Sequence, residues 1–257
     1  MTEWMLQSDV VYGPIRSRRL GTSLGVNILP PDHKFCSYDC LYCQCGWTVP
    51  EDGHARALPS AEWLLAAIDQ QLRHWSEAPI TINVITLAGN GEPTLHPRFG
   101  EVVDGLLNLR DRWLPMVPVG ILSDSSTVHR LIIRQALKRL DERFMKLDAG
   151  SAEMWQQLNR PLGHPAWEAM LEGLRALQDV TLQSIFVDGS VENATDEAVA
   201  DWIEAVAFVQ PKLVHLYTVS RRSADPGSLP VPEYRLMEIG RRLTETTGVA
   251  SEVFSIQ

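Results

Sequence analysis

All four cysteines of this 257-residue chain lie between Cys36 and Cys45, and none occurs elsewhere. A disulfide framework needs cysteines spread along the chain, so cross-links cannot be what holds this fold together. Cysteines packed this densely read as a metal or redox site instead. The remainder must fold by burying apolar surface, which a chain of this length can do without a covalent staple. With 45% apolar and 21% charged residues, the composition is that of an ordinary globular protein.

Short β-branched apolar runs alternate with amphipathic helical patterns, as they do in a parallel α/β sheet. Strands are expected at residues 23–29, 80–88, 117–122, 143–148, 181–187 and 213–219, with a short one at 250–254. Helices are expected at 60–75, 126–140, 195–209 and 232–246. Ser60 would cap the first of these, with Leu64, Ile68 and Leu72 on one face. A further helical stretch follows Asp148, divided by Pro161 and Pro165. Six βα units are too few for a closed eight-stranded barrel and suit a partial β/α barrel or a doubly wound sheet. No repeat or long polar linker interrupts them. The chain therefore reads as one α/β domain over 1–257, with a lead-in at 1–22, a cysteine loop at 30–47, and a loop, helix and strand at 223–257.

Charge narrows the functional classes. Acidic residues number 32 against 23 basic, a formal charge of −9. Such a surface repels phosphate backbones, which counts against a nucleic-acid substrate. No uncharged apolar run approaches the ~18 residues a membrane span needs. Residues 1–10, with Glu3 and Asp9, lack the basic-then-apolar pattern of a signal peptide. A soluble, cytoplasmic protein with no membrane partner is expected.

The central motif is Cys36-Ser37-Tyr38-Asp39-Cys40-Leu41-Tyr42-Cys43. Iron–sulfur clusters are held by thiolates, and close spacing lets one loop wrap a cubane. Three protein ligands leave the fourth iron open to bind and activate a small molecule, as an open position does at catalytic zinc. Spacing alone also admits a structural zinc held by Cys36, Cys40, Cys43 and Cys45, or a non-catalytic sensor module. Zinc prefers two separated pairs of ligands, however, and a single residue between Cys43 and Cys45 would strain such a site.

This C-x3-C-x-aromatic-C pattern, followed after the next expected strand by Gly89-Asn90-Gly91-Glu92-Pro93, resembles the radical S-adenosylmethionine (SAM) superfamily. The resemblance implies a partial β/α barrel in which Cys36, Cys40 and Cys43 hold one [4Fe–4S] cluster. SAM would chelate the open iron, with Tyr42 near its adenine. Asn90, Gly91, Glu92 and Pro93 would correspond to the turn that receives the SAM amino group. Asn90 stands where the family has its first glycine. Ser123 and Ser125 would sit where the superfamily contacts the SAM ribose or carboxylate, with Asp124 in place of a common asparagine.

One subgroup is closer. Tyr12 to Gly21, Ser23 to Asn27, Lys146-Leu147-Asp148-Ala149, Asn159-Arg160-Pro161 and His215-Leu216-Tyr217-Thr218-Val219 look like blocks of proteins related to wyosine tRNA-base synthases. Wyosine synthases of the archaeal type carry upstream cysteines for a second cluster, and none precedes Cys36 here. A small-molecule, peptide or protein substrate is therefore expected, with tRNA less so, and a flavodoxin or ferredoxin as electron donor. Strand alternation puts Lys146 and Asp148 on one face near a carboxyl end, as catalytic candidates or as a structural ion pair. Asp148 and Tyr217 are also candidate cofactor contacts. Arg160 suits a carboxylate, a phosphate or a helix terminus. His33 and Lys34 read as surroundings of the cluster, His96 as structural, Arg16, Arg18 and Arg19 as a solvated strand entry, and most tryptophans as packing. Trp47 is the exception, since it follows the cysteine loop directly.

After anaerobic reconstitution, Cys45→Ala is expected to keep its iron cluster and Cys40→Ala to lose it, by iron and sulfide content. Equal loss in both would favour a four-cysteine site.

Overall fold

The computed structural model describes residues 4–48, 58–163 and 166–255. Pro165, one of the two expected helix dividers, lies outside them. The chain forms two compact units.

The first comprises Met1–Cys36, Thr48–Ser123 and Arg130–Arg143. Its elements in chain order are β1 (Val11–Ser17), β2 (Gly21–Val26), α1 (Ala61–Ser76), β3 (Val84–Leu87), a 3-10 turn (Pro93–Leu95), α2 (Phe99–Trp113), β4 (Val119–Ser123) and α3 (Leu131–Leu137). β1 pairs antiparallel with β2, while β2, β3 and β4 run parallel. β3 is buried at every position, as its near-continuous apolar run requires. α1 starts where Ser60 accepts the Trp63 amide, and it buries Leu64, Ile68 and Leu72.

Two elements here are absent from the sequence expectation. β1 contains Pro14 and a register shift between Tyr12 and Ile15. It is tolerated because its free side is a sheet edge. α2 buries Phe99, Val102, Val103 and Leu106 on one face, a period readable from the sequence. β3 is shorter than expected because its ladder to β2 covers only Ser23↔Val84 to Val26↔Leu87. α3 is shorter too, since residues 126–129 form a turn after Ser125, whose φ is 70°.

The second unit comprises Ser37–Trp47, Asp124–His129 and Phe144–Gln257. It takes the end of β5 (Glu142–Lys146), then α4 (Ala152–Asn159), α5 (Trp167–Leu177), β6 (Thr181–Gly189), α6 (Asp196–Val209), β7 (Leu213–Thr218), β8 (Ser228–Pro230), α7 (Glu233–Thr247) and β9 (Ser251–Phe254). β5, β6, β7 and β9 are parallel, and β8 adds antiparallel to the end of β6, where only a loop was expected. Counting from β2 to α7, the described residues carry the six expected strand–helix units.

Trp202 on α6 is fully buried, edge-on to Phe186 at 5.2 Å. Its Nε1 donates to Leu147 O at 3.1 Å, which fixes the helix against the residues just past β5. Gly150 makes this approach possible: a Cβ there would lie 2.0 Å from the Trp202 amide nitrogen. Among the described residues no helix is long and apolar enough to cross a membrane.

Trp202→Ala is expected to cost about 3–5 kcal/mol, as large-to-small core changes do. Urea unfolding followed by circular dichroism checks this, and an unchanged midpoint would refute it.

Candidate active site

In both units the residues of interest follow the carboxyl ends of parallel strands, the end that carries chemistry in β/α folds. In the first unit, β3 leads into the glycine-rich turn. Phe35 forms an isolated parallel bridge with Gly91, in which Phe35 N donates to Asn90 O at 2.8 Å and Glu92 N donates to Phe35 O at 3.0 Å. Cys36 follows at once. Gly91 has φ 142°, and a Cβ on it would lie 1.8 Å from Phe35 O, so only glycine fits. The close approach that this glycine permits is thus to the segment bearing the first cysteine.

Asn90 is fully buried, and its side chain is engaged within the protein. Nδ2 donates to Gln7 O at 2.9 Å and Pro30 O at 2.8 Å, and Oδ1 accepts from Gln7 N at 2.7 Å. Glu92 is buried as well. Its Oε1 accepts from Thr94 N at 3.0 Å, Thr94 Oγ1 at 2.5 Å and Ser123 Oγ at 3.0 Å. The carboxylate therefore caps the 3-10 turn begun by Pro93 and ties that turn to the end of β4.

In the second unit the cysteine loop is laced to the end of α4. Asp39 N donates to Arg160 O at 3.1 Å, Leu41 N to Leu158 O at 3.0 Å, and Leu162 N to Ser37 O at 2.8 Å. A turn from Cys43 N to Cys40 O, 3.1 Å, brings the last two ligand candidates together. The loop is then anchored through Tyr42, whose hydroxyl donates to Asp148 Oδ2.

Asp148, almost wholly buried, is the hub. Oδ1 accepts from Lys146 Nζ at 2.8 Å and Ile185 N at 2.9 Å, and Oδ2 accepts from Tyr42 and from Asn159 Nδ2 at 2.9 Å. Lys146 Nζ also donates to Tyr217 Oη at 2.7 Å and lies over the rings of Tyr42 and Tyr217, 4.6 and 5.0 Å from their centroids. Burial pulls the Lys146 ammonium down, and the Asp148 carboxylate and Tyr217 more than offset this, so its pKa is raised above the usual value. Burial, and then the Asp148 charge, push the Tyr42 phenol well up, which keeps it a neutral donor.

The cysteines suit an iron cluster. None of the four is in a disulfide, and all are partly exposed. Burial, and then the neighbouring Cys43, push the Cys40 thiol up to about 12, so a thiolate there calls for an adjacent cation. Asn159 Nδ2 lies 3.4 Å from Cys40 Sγ, a donor aimed at the sulfur. Among the described residues no three His, Cys, Asp or Glu side chains converge on a point as ligands of a single ion. A cubane, which takes one thiolate per iron at separate corners, does not require such convergence.

The remaining candidates are placed as follows. Ser125 Oγ donates to Lys146 O at 2.8 Å, which holds the turn after β4 against β5. Asp124 Oδ2 accepts from Ser37 Oγ at 2.8 Å, beside Cys36 in sequence. Arg160 is the left-handed C-cap residue of α4, with φ 47°, and its guanidinium lies over Trp47 at 5.0 Å. His96 bonds to Pro59 O and Arg98 N, and His33 pairs with its neighbour Asp32. Two residues escape sequence reasoning. Asn159 was legible only as part of a block. Asn193, whose Nδ2 donates to Asp148 O and Ile185 O, both at 2.8 Å, gives no sequence signal at all.

A family model described as the Radical SAM superfamily matches residues 32–205. A UPF0026 protein of Methanocaldococcus jannaschii is 29% identical over 216 residues, which are 82% of this chain and 64% of that protein. The chain thus spans less than two thirds of that relative's length. Among solved structures, a radical SAM methyltransferase from Sphaerobacter thermophilus superposes with a TM-score of 0.64 at 15% identity, covering 91% of this chain and 66% of that one. TYW1 with a lysine–pyruvate adduct bound does so at 0.62 and 12%, covering 89% and 76%. These likenesses show the α/β, partial-barrel fold that the cysteine motif implied.

Asp148→Ala would leave Lys146 without its counter-charge in a largely dry setting. Removing one partner of a buried ion pair costs about 3–5 kcal/mol, and urea unfolding of the cluster-free protein should show it. A loss under about 1 kcal/mol would mean that the pair behaves like a surface one.

Proposed function

The chain belongs to the radical SAM superfamily, and from that premise we propose a single-cluster enzyme in which Cys36, Cys40 and Cys43 hold one [4Fe–4S] cluster. SAM would be its second cofactor. When bound, these groups supply the one-electron cleavage of SAM to methionine and a 5′-deoxyadenosyl radical, which takes hydrogen from an unreactive substrate carbon. What carries the reading is the hydrogen-bonded chain from Cys40 through Asn159 and Tyr42 to Asp148 and Lys146.

The protein's own groups hold and orient. Tyr42 is pinned by its hydroxyl, so its ring offers a fixed wall for an adenine. Glu92 offsets the SAM ammonium, and Ser123 orients that carboxylate. Lys146 has three N–H donors, and among the described residues Tyr217 and Asp148 take two of them. The third is directed to a carboxylate or carbonyl oxygen of the substrate, with Asp148 holding the lysine charged. Burial of this cluster keeps water from the reacting carbon. The substrate is a small metabolite, peptide or partner protein. The electron comes from a flavodoxin- or ferredoxin-type donor, and the reaction takes place in the cytoplasm. The acidic charge disfavours tRNA.

Anaerobically reconstituted protein with dithionite and SAM is expected to release 5′-deoxyadenosine, and a variant with Cys36, Cys40 and Cys43 changed to alanine is not. Equal release from both would overturn the proposal. Nanomolar, salt-sensitive binding of tRNA would overturn the substrate class.

A further inference from the structure

We propose that Asn159 tunes the reduction potential of the cluster by donating an amide N–H to the Cys40 sulfur, while Asp148 and Tyr42 hold its other N–H. The inference rests on the reading of Cys36, Cys40 and Cys43 as cluster ligands.

Asn159 ends α4 and is buried. Its Nδ2 faces three acceptors: Cys40 Sγ at 3.4 Å, Tyr42 Oη at 2.9 Å and Asp148 Oδ2 at 2.9 Å. The amide orientation follows from that set. A carboxylate only accepts, and Tyr42 has already given its hydrogen to Asp148. A flipped amide would turn its oxygen toward three electron-rich atoms and leave its N–H groups without acceptors. Two hydrogens then serve three acceptors. One is shared by the adjoining Asp148 and Tyr42 oxygens, and the other points to the sulfur.

The amide cannot drift from this position. Leu158 and Arg160 on either side accept backbone hydrogen bonds from Leu41 and Asp39, on either side of Cys40. The fold also bears a cost for holding it. Asn159 Oδ1 is buried, and among the described residues it has no hydrogen-bond partner. An unsatisfied buried acceptor costs roughly 1–3 kcal/mol, and such a group in a native fold asks for a reason. An N–H fixed on a ligand sulfur is one.

Reduction adds one electron from an external one-electron donor, with no bond made or broken and no proton moved. The added negative charge spreads over the sulfurs, so a donor aimed at one of them favours the reduced state and raises the potential. Asn159 is therefore a positioning and tuning residue, not a catalytic one.

The test is an EPR-monitored redox titration of the reconstituted protein without SAM, comparing wild type with Asn159→Leu and Asn159→Ser. Leucine removes the donor at similar volume, and serine is too short to reach the sulfur. Each variant is expected to have a tenfold smaller reduced-to-oxidised ratio at a fixed potential, a midpoint about 60 mV lower for a one-electron couple. A variant that carries the cluster at the wild-type midpoint overturns the inference and leaves the proposed function standing. Loss of the cluster from both variants overturns it in favour of a purely structural amide. A wild-type protein with no four-iron signal overturns both.

Discussion

The Asp148 carboxylate is the interaction on which the candidate residues of the second unit depend. It lies just past β5, and its two oxygens receive donors from β5 itself, from β6, from the end of α4 and from the cysteine loop. A buried carboxylate is costly unless every lone pair is met. Here the cost is met only when the four segments hold one arrangement. The loop carrying Cys40 and Cys43 is therefore placed by the satisfaction of a charge, not by its own stiffness. Asn193 and Ser184, which bind the backbone carbonyls of Asp148 and Leu147, extend the constraint to β6.

The first unit places its own candidate residues with backbone in place of charge. The bridge between Phe35 and Gly91 seats the residue before Cys36 on the turn that holds Glu92. Asn90, where the superfamily pattern has glycine, uses its amide to tie that turn to Gln7 and Pro30. The departure from the pattern thus has a packing reason. Glycine at this position would remove a donor from the Gln7 and Pro30 carbonyls and an acceptor from the Gln7 amide, leaving the Gln7 carbonyl only its bond from Asn27.

Most strand and helix positions were legible because period and capping are local. Ser60 caps the helix expected of it, and Thr195, where another helix was expected to begin, caps that one. What failed did so for nonlocal reasons. β1 is a proline-containing edge strand that only its partner makes extended, and β3 is cut to the length its neighbour can pair. α2 is the exception: its buried stripe was present in the sequence and went unread. Lys146, Asp148 and Tyr217 were each named from blocks of the sequence, and their joint contact could not be, because Lys146 and Tyr217 stand 71 residues apart.

By itself the sequence determined the chemistry on offer: four thiols and an aromatic residue in one short loop, a glycine-rich turn after the following strand, and six repeats of strand and helix to carry them. Spacing along the chain is enough for those, since each lies within a few residues. Which partners the groups take was decided only by tertiary structure. Folding brought Asn159 to Cys40 across 119 positions and set Lys146 beside Tyr217. A hydrogen bond depends on distances of a few ångströms between elements, and no local pattern encodes those.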